Sequence, residues 1–101
     1  MSNHVIETVT FRLMDGVSRE QFLQAARQVN AFMAARPGFL RRRLSCEESG
    51  TWIEHVEWAS MADAEAAAAS IGGDEHARAF LRTIDAPSVK ISHSELKVSV
   101  G

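Results

Sequence analysis

Apolar and polar residues alternate through "HVIETVTFRL" at residues 4 to 13, the period-two pattern of a half-buried strand. "MDGVS" then turns the chain, and Ser18 with Gln21 three residues on forms a capping box that opens a helix. The period now changes to that of a helix. Phe22, Ala26, Val29 and Met33 recur on one face, and Ala25 and Phe32 widen the stripe. Pro37-Gly38 ends it, because proline cannot continue a helix and disfavours helix in the residue before it. Residues 39 to 47 predict a second strand, "ESG" a turn, and "TWIEHVEWAS" at 51 to 60 a third strand, so strands two and three form a hairpin. Ser60 and Asp63 cap a second, alanine-rich helix that runs to Ile71 and stops at Gly72-Gly73. Asp74 is placed to cap a short third helix, "EHARAFLRTI", and a last strand is expected from about Ser88 to Val100.

This order is β-α-β followed by β-α-(short α)-β, which predicts an α+β, ferredoxin-like split βαβ fold with a four-stranded antiparallel sheet. Right-handed crossovers put strands one and three in the centre and two and four at the edges. Two main helices and a short third cover one face. Val56 and Trp58 suit that side, as do Val9, Phe11 and Leu13 of strand one. The other side carries Ile53, His55 and Glu57 with Ile6, Thr8, Thr10 and Arg12. That mixture is too apolar for open water and too polar for a dry core. A twin sheet packed face to face would cover it, so the expected assembly is a homodimer.

Composition narrows the partners. The 101 residues make one domain, residues 1–101, with 46% apolar and 24% charged residues. A net charge of −2, with both signs dispersed, argues against nucleic-acid or membrane-surface binding, and the single basic cluster Arg41-Arg42-Arg43 is too short to reverse this. No apolar run approaches a membrane span. The opening residues lack a basic start followed by an apolar block, so the expected location is the cytoplasm. Cys46 is the only cysteine, which excludes an internal disulfide and a Cys-based zinc site. No Gly-rich phosphate loop, Ser-His-Asp pattern or CxxC occurs, so nucleotide-dependent chemistry is not indicated.

The words "PGFLRRRLS", "VEWASMADAEAA" and "HARAF", in this order around a hairpin, resemble the dimeric α/β-barrel superfamily, closest to proteins like the antibiotic-biosynthesis monooxygenases. "HVIETVTFRLMDGVS" is also similar to the stress-responsive barrel proteins. The resemblance covers nearly the whole chain. It implies a homodimeric α/β barrel with one cavity per subunit between sheet and helices; no cofactor and no metal are expected. Superfamily members include cofactor-independent monooxygenases of polycyclic aromatics, haem-degrading enzymes, polyketide cyclases and proteins of unknown role. Haem-degrading relatives combine an asparagine, a histidine and a helix tryptophan. This chain has the run Ala66 to Ala69 where that tryptophan would stand.

Among candidate site residues, His76 comes first. It is expected just inside the third helix on the face of Phe80 and Ile84, and several superfamily members place a functional histidine on this segment. Histidine is the ordinary proton carrier near neutrality; the bland alternative is an edge histidine packed on Phe80. His55 and Glu57 share one strand face, either as a water-linked proton pair or as a polar pair at the subunit interface. Two such groups could also bind a metal, but without a third ligand nearby the signal is weak and no metal is expected. Trp52 and Trp58 can stack on a flat ligand or fill the core. Asn30, polar on an apolar helix face, can orient a ligand or bond a backbone carbonyl. His4 and Cys46 have no evident partner.

Two functions follow. One is a cofactorless monooxygenase acting on an aromatic or polyketide-like small molecule. His76 would move protons, Trp52, Trp58 and Phe80 would shape the pocket, and Asn30 or His55 would orient the substrate. The other is a non-catalytic homodimeric ligand-binding or stress-response barrel. The absence of tyrosine, and of a second catalytic partner for His76, favours the latter.

Overall fold

The computed structural model describes residues 3–101. Its strands are β1 (Val5–Phe11), β2 (Phe39–Cys46), β3 (Trp52–Trp58) and β4 (Lys90–Glu95); its helices are α1 (Arg19–Ala34), α2 (Met61–Ile71) and α3 (Arg78–Thr83). One antiparallel sheet has the order β2-β3-β1-β4, so β1 and β3 are central, as right-handed crossovers predict.

Local chemistry sets the boundaries. The Ser18 hydroxyl accepts from the Gln21 N–H at 3.0 Å and starts α1. Phe22, Ala25, Ala26, Val29, Phe32 and Met33, the whole predicted stripe, are buried. Ser60 does the same for α2 through the Asp63 N–H at 3.1 Å. After α1 the chain turns through Gly38, whose φ is +78° and whose carbonyl accepts from Ala59 N at 2.8 Å. A side chain there would collide with the Asp63 carboxylate, so glycine is required on two counts. The β2–β3 turn closes with Gly50 N donating to Glu47 O at 2.9 Å.

The core lies between the sheet and its helices. Trp52, Val56 and Trp58 of β3, with Phe11 of β1, meet the α1 stripe, Ala64, Ala67, Ala77 and Phe80. Aromatic rings join these layers: Phe22 lies 4.6 Å from Trp52 and 5.6 Å from Phe80, centroid to centroid. The opposite sheet face has no helix on it.

Several elements are shorter than their sequence patterns predict, three of them instructively. β1 ends at Phe11, and Leu13 forms an isolated bridge to Ile84. α3 begins at Arg78 rather than near Asp74, because Asp74 Oδ1 accepts from the His76 N–H at 2.8 Å and holds a turn. β4 ends at Glu95, opposite Val5, where β1 itself begins and further pairing has no template.

Candidate active site

A cavity of about 450 Å³ lies between the helix side of the sheet and the three helices. Glu7, Val9 and Phe11 of β1, Glu54 and Trp58 of β3 and Ile91 of β4 form its floor. Phe32 and Met33 of α1, Ala67, Ala68 and Ile71 of α2, and Phe80, Leu81 and Ile84 around α3 form its walls. Small side chains on α2 leave this space open. Its volume falls in the range of small-molecule sites.

Only two lining residues are ionisable, and both are carboxylates. Their positions follow from strand register. Glu7 stands beside His93 in the β1–β4 pair, and Glu54 beside Leu44 in the β2–β3 pair, next along the helix side from Arg42. Glu7 Oε2 is 3.0 Å from His93 Nε2, and Glu7 Oε1 accepts from Trp58 Nε1 at 3.4 Å. An ionised carboxylate only accepts, so with Glu7 ionised the hydrogen of this contact sits on His93 Nε2. The carboxylate keeps lone pairs for a further donor from the cavity. His93 also borders an outer groove with Val5, Ser60 and Met61, so the pair stands between the cavity and the outside.

Glu54 is held differently. Its Oε1 accepts from Arg42 Nη2 at 2.8 Å, with the two side chains only 8% and 7% exposed. Arg42 Nη1 donates to Ala26 O at 2.7 Å and Asn30 Oδ1 at 2.9 Å, and its guanidinium lies 5.5 Å from the Phe80 ring centre. This arginine is therefore spent on tying α1 to the sheet. Among the described residues, no lysine or arginine lines the cavity.

Of the residues singled out by sequence, Trp58 and Phe80 line the cavity. Trp52 is buried against Phe22 with Arg19 over its ring, outside the lining. Asn30 sits behind Arg42 on the α1 surface. His76 is on the turn before α3, its side chain 50% exposed and 3.3 Å from the Asp74 carboxylate; it does not line the cavity. His55 is exposed on the bare face, in a shallow pocket with Ile6, Arg41, Arg43 and Glu57. Glu57 pairs there with His4 at 3.0 Å, giving His4 the partner that sequence did not reveal. Among the described residues, no group of three or more His, Cys, Asp or Glu is arranged to hold a metal.

Sequence reading passed over Glu7, Glu54 and His93. The first two carried a signal: each interrupts an apolar row, Val5-Glu7-Val9-Phe11 and Trp52-Glu54-Val56-Trp58. A charge at a core position of a strand is uncommon unless paired or used.

The fold is that of the ferredoxin-like, antibiotic-biosynthesis-monooxygenase-like proteins, with four antiparallel strands and three helices. Similar solved structures include SnoaB from Streptomyces nogalater, described as a cofactor-independent oxygenase. It is 20% identical, covers 99% of this chain and 97% of its own, and has a TM-score of 0.68. A Bordetella bronchiseptica protein named after the antibiotic-biosynthesis monooxygenases reaches 0.80 at 11% identity, covering 95% of this chain and 99% of its own. Hydroxynitrile lyase from Passiflora edulis reaches 0.74 at 14% identity over all of both chains. At these identities the likeness is one of fold. No protein-family model matches the chain, and no curated protein matches its sequence. Among the described residues, no helix is long and apolar enough to cross a membrane.

Proposed function

We propose that the protein is a cofactor-independent monooxygenase-like enzyme acting on an aromatic or polyketide-like small molecule held in the cavity above Glu7. The observation behind this reading is a carboxylate backed by an imidazole at the floor of a mostly apolar, aromatic-lined space, whose other carboxylate, Glu54, is held by Arg42. In that setting Glu7 takes a proton from an acidic C–H flanked by aromatic rings, with His93 holding the carboxylate in place. The carbanion left behind is electron-rich enough to reduce O₂ directly. The CH₂ carbon adds O₂, loses its second hydrogen and releases one oxygen atom as water, leaving a carbonyl. The substrate supplies the electrons, so the protein needs to supply a base and a cavity that excludes water. The oxygenase description of SnoaB, on the same fold, supports this reading.

Assembly belongs to the same proposal. Ile6, Thr8, Thr10 and Ile53 are partly buried on a face that carries no helix, and a second copy of the chain covers it face to face, giving a homodimer.

The test is oxygen uptake with a panel of anthrones and polycyclic phenols. Uptake by the parent, lost in Glu7→Gln and kept in His76→Ala, is the expected result. Equal rates in parent and Glu7→Gln would overturn the role of Glu7; loss in His76→Ala alone would return the proton transfer to that residue. A second reading, binding without turnover, draws on the fact that both cavity carboxylates already have partners. It predicts ligand binding with no uptake on any substrate.

A further inference from the structure

Charge inside the cavity is one-sided. Glu7 and Glu54 line it, and among the described residues no lysine or arginine joins them. Arg42 already satisfies Glu54: it donates to that carboxylate at 2.8 Å and spends its other terminal nitrogen on Ala26 O and Asn30 Oδ1. That pair is neutral as a whole. Glu7, ionised when it acts as a base, therefore sets the sign of the space above it. His93 stands on the far side of Glu7, toward the outer groove, so the carboxylate is the nearer charge for a ligand in the cavity.

The mouth supplies no cation either. Ala68 of α2, Leu81 of α3, Ala86 and Ile91 of β4 line the cavity and also reach the surface, Leu81 at 39% and Ile91 at 59% exposure. They mark an opening between the helices and the outer edge of β4, and all four are apolar. Arg78, Arg82 and Lys90 flank this rim in sequence, but none of them lines the cavity. An ionised acid passing the rim would lose its water, meet no compensating charge and face a carboxylate at the floor.

We infer that the cavity takes uncharged ring systems and rejects carboxylates, so that the molecule it accepts has any acid group masked as an ester, amide or lactone, or has lost it. This inference rests on the reading of the cavity as the substrate site. Two like unit charges about 8 Å apart, at an effective dielectric constant of about 20, repel enough to weaken binding roughly 30-fold before lost hydration is counted. The same lining fixes a place in a sequence of reactions. Where the precursor is a carboxylic acid, an esterification, lactonisation or decarboxylation must precede the step at Glu7, because the reverse order would present an anion to this floor.

The experiment compares anthraquinone-2-carboxylate with its methyl ester, which share one ring system and differ in charge, by quenching of tryptophan fluorescence at neutral pH. The parent is expected to bind the ester at least about 30-fold more tightly. Equal affinities in the parent overturn the selection, need no variant and leave the cavity reading standing. In Glu7→Gln, which keeps the side chain's shape, the ratio should fall about tenfold or more. Methylation also adds apolar surface, so a ratio unchanged in that variant overturns the role of the Glu7 charge. Binding of neither ligand, or ester binding that survives Ala67→Leu, overturns the cavity reading itself.

Discussion

Glu7 and His93 lie 86 positions apart in sequence and 3.0 Å apart in space, joined because β1 and β4 pair with these residues side by side. The carboxylate faces the cavity and the imidazole stands behind it. If Glu7 is the base, its removal should cost the full contribution of general base catalysis. Glu7→Gln is expected to lower kcat by about 10²–10⁴-fold, measured as oxygen uptake. His93→Gln, which keeps a donor beside Glu7, should lower it less and leave KM nearly unchanged.

Arg42 and Glu54 form a buried pair at 2.8 Å. Breaking it from one side strands a charge in the core, so Arg42→Met is expected to destabilise the fold by about 3–5 kcal/mol in urea denaturation. The double variant Arg42→Met/Glu54→Met leaves no unpaired charge and should recover most of that loss. Equal losses in single and double variants would show that the arginine's bonds to Ala26 and Asn30 dominate instead.

Ala67 lines the cavity from α2 and is itself 5% exposed. Ala67→Leu would extend side-chain carbon into empty space. The melting temperature is expected to hold or rise, by an amount worth about 0.5–2 kcal/mol, while binding of a flat aromatic, followed by Trp58 fluorescence, is lost. Retained binding would place the ligand elsewhere.

Glu95 titrates below the ordinary glutamate range, because Lys97 donates a hydrogen bond to it and adds a favourable charge. Its contribution to stability is thus present above the unfolded-state value and is lost as pH falls through the lowered one. Lys97→Met should return the Glu95 carboxyl to the ordinary range in a carbon-13 NMR titration. The pair is exposed, so global stability should barely change.

Much of the fold was legible because strand and helix periods differ so plainly here. Val29 and Phe32 announce the buried face of α1, and Ser18 and Ser60 announce where helices begin. The ends of elements were less legible, since β4 stops for want of a partner strand and not through any breaker in "LKVSV". The site was the least legible. Trp58 and Phe80 were found because large aromatics on a core face have few other places to go. His93 was invisible, because only the β1–β4 register brings it to Glu7, and "ISHSE" by itself reads as a polar edge strand. His76 drew notice through its neighbours Phe80 and Ile84, but a helix beginning at Arg78 leaves it on a turn.

The roof of the cavity has a consequence of its own. Ala67 and Ala68 contribute almost nothing but vacancy, whereas every group suited to proton transfer is anchored in the sheet below. Shape and reactivity are therefore written on different elements. Lineages carrying this chain can recut the volume above the carboxylate one methyl group at a time, exchanging one guest for another, while the strand pairing that positions Glu7 and His93 stays untouched.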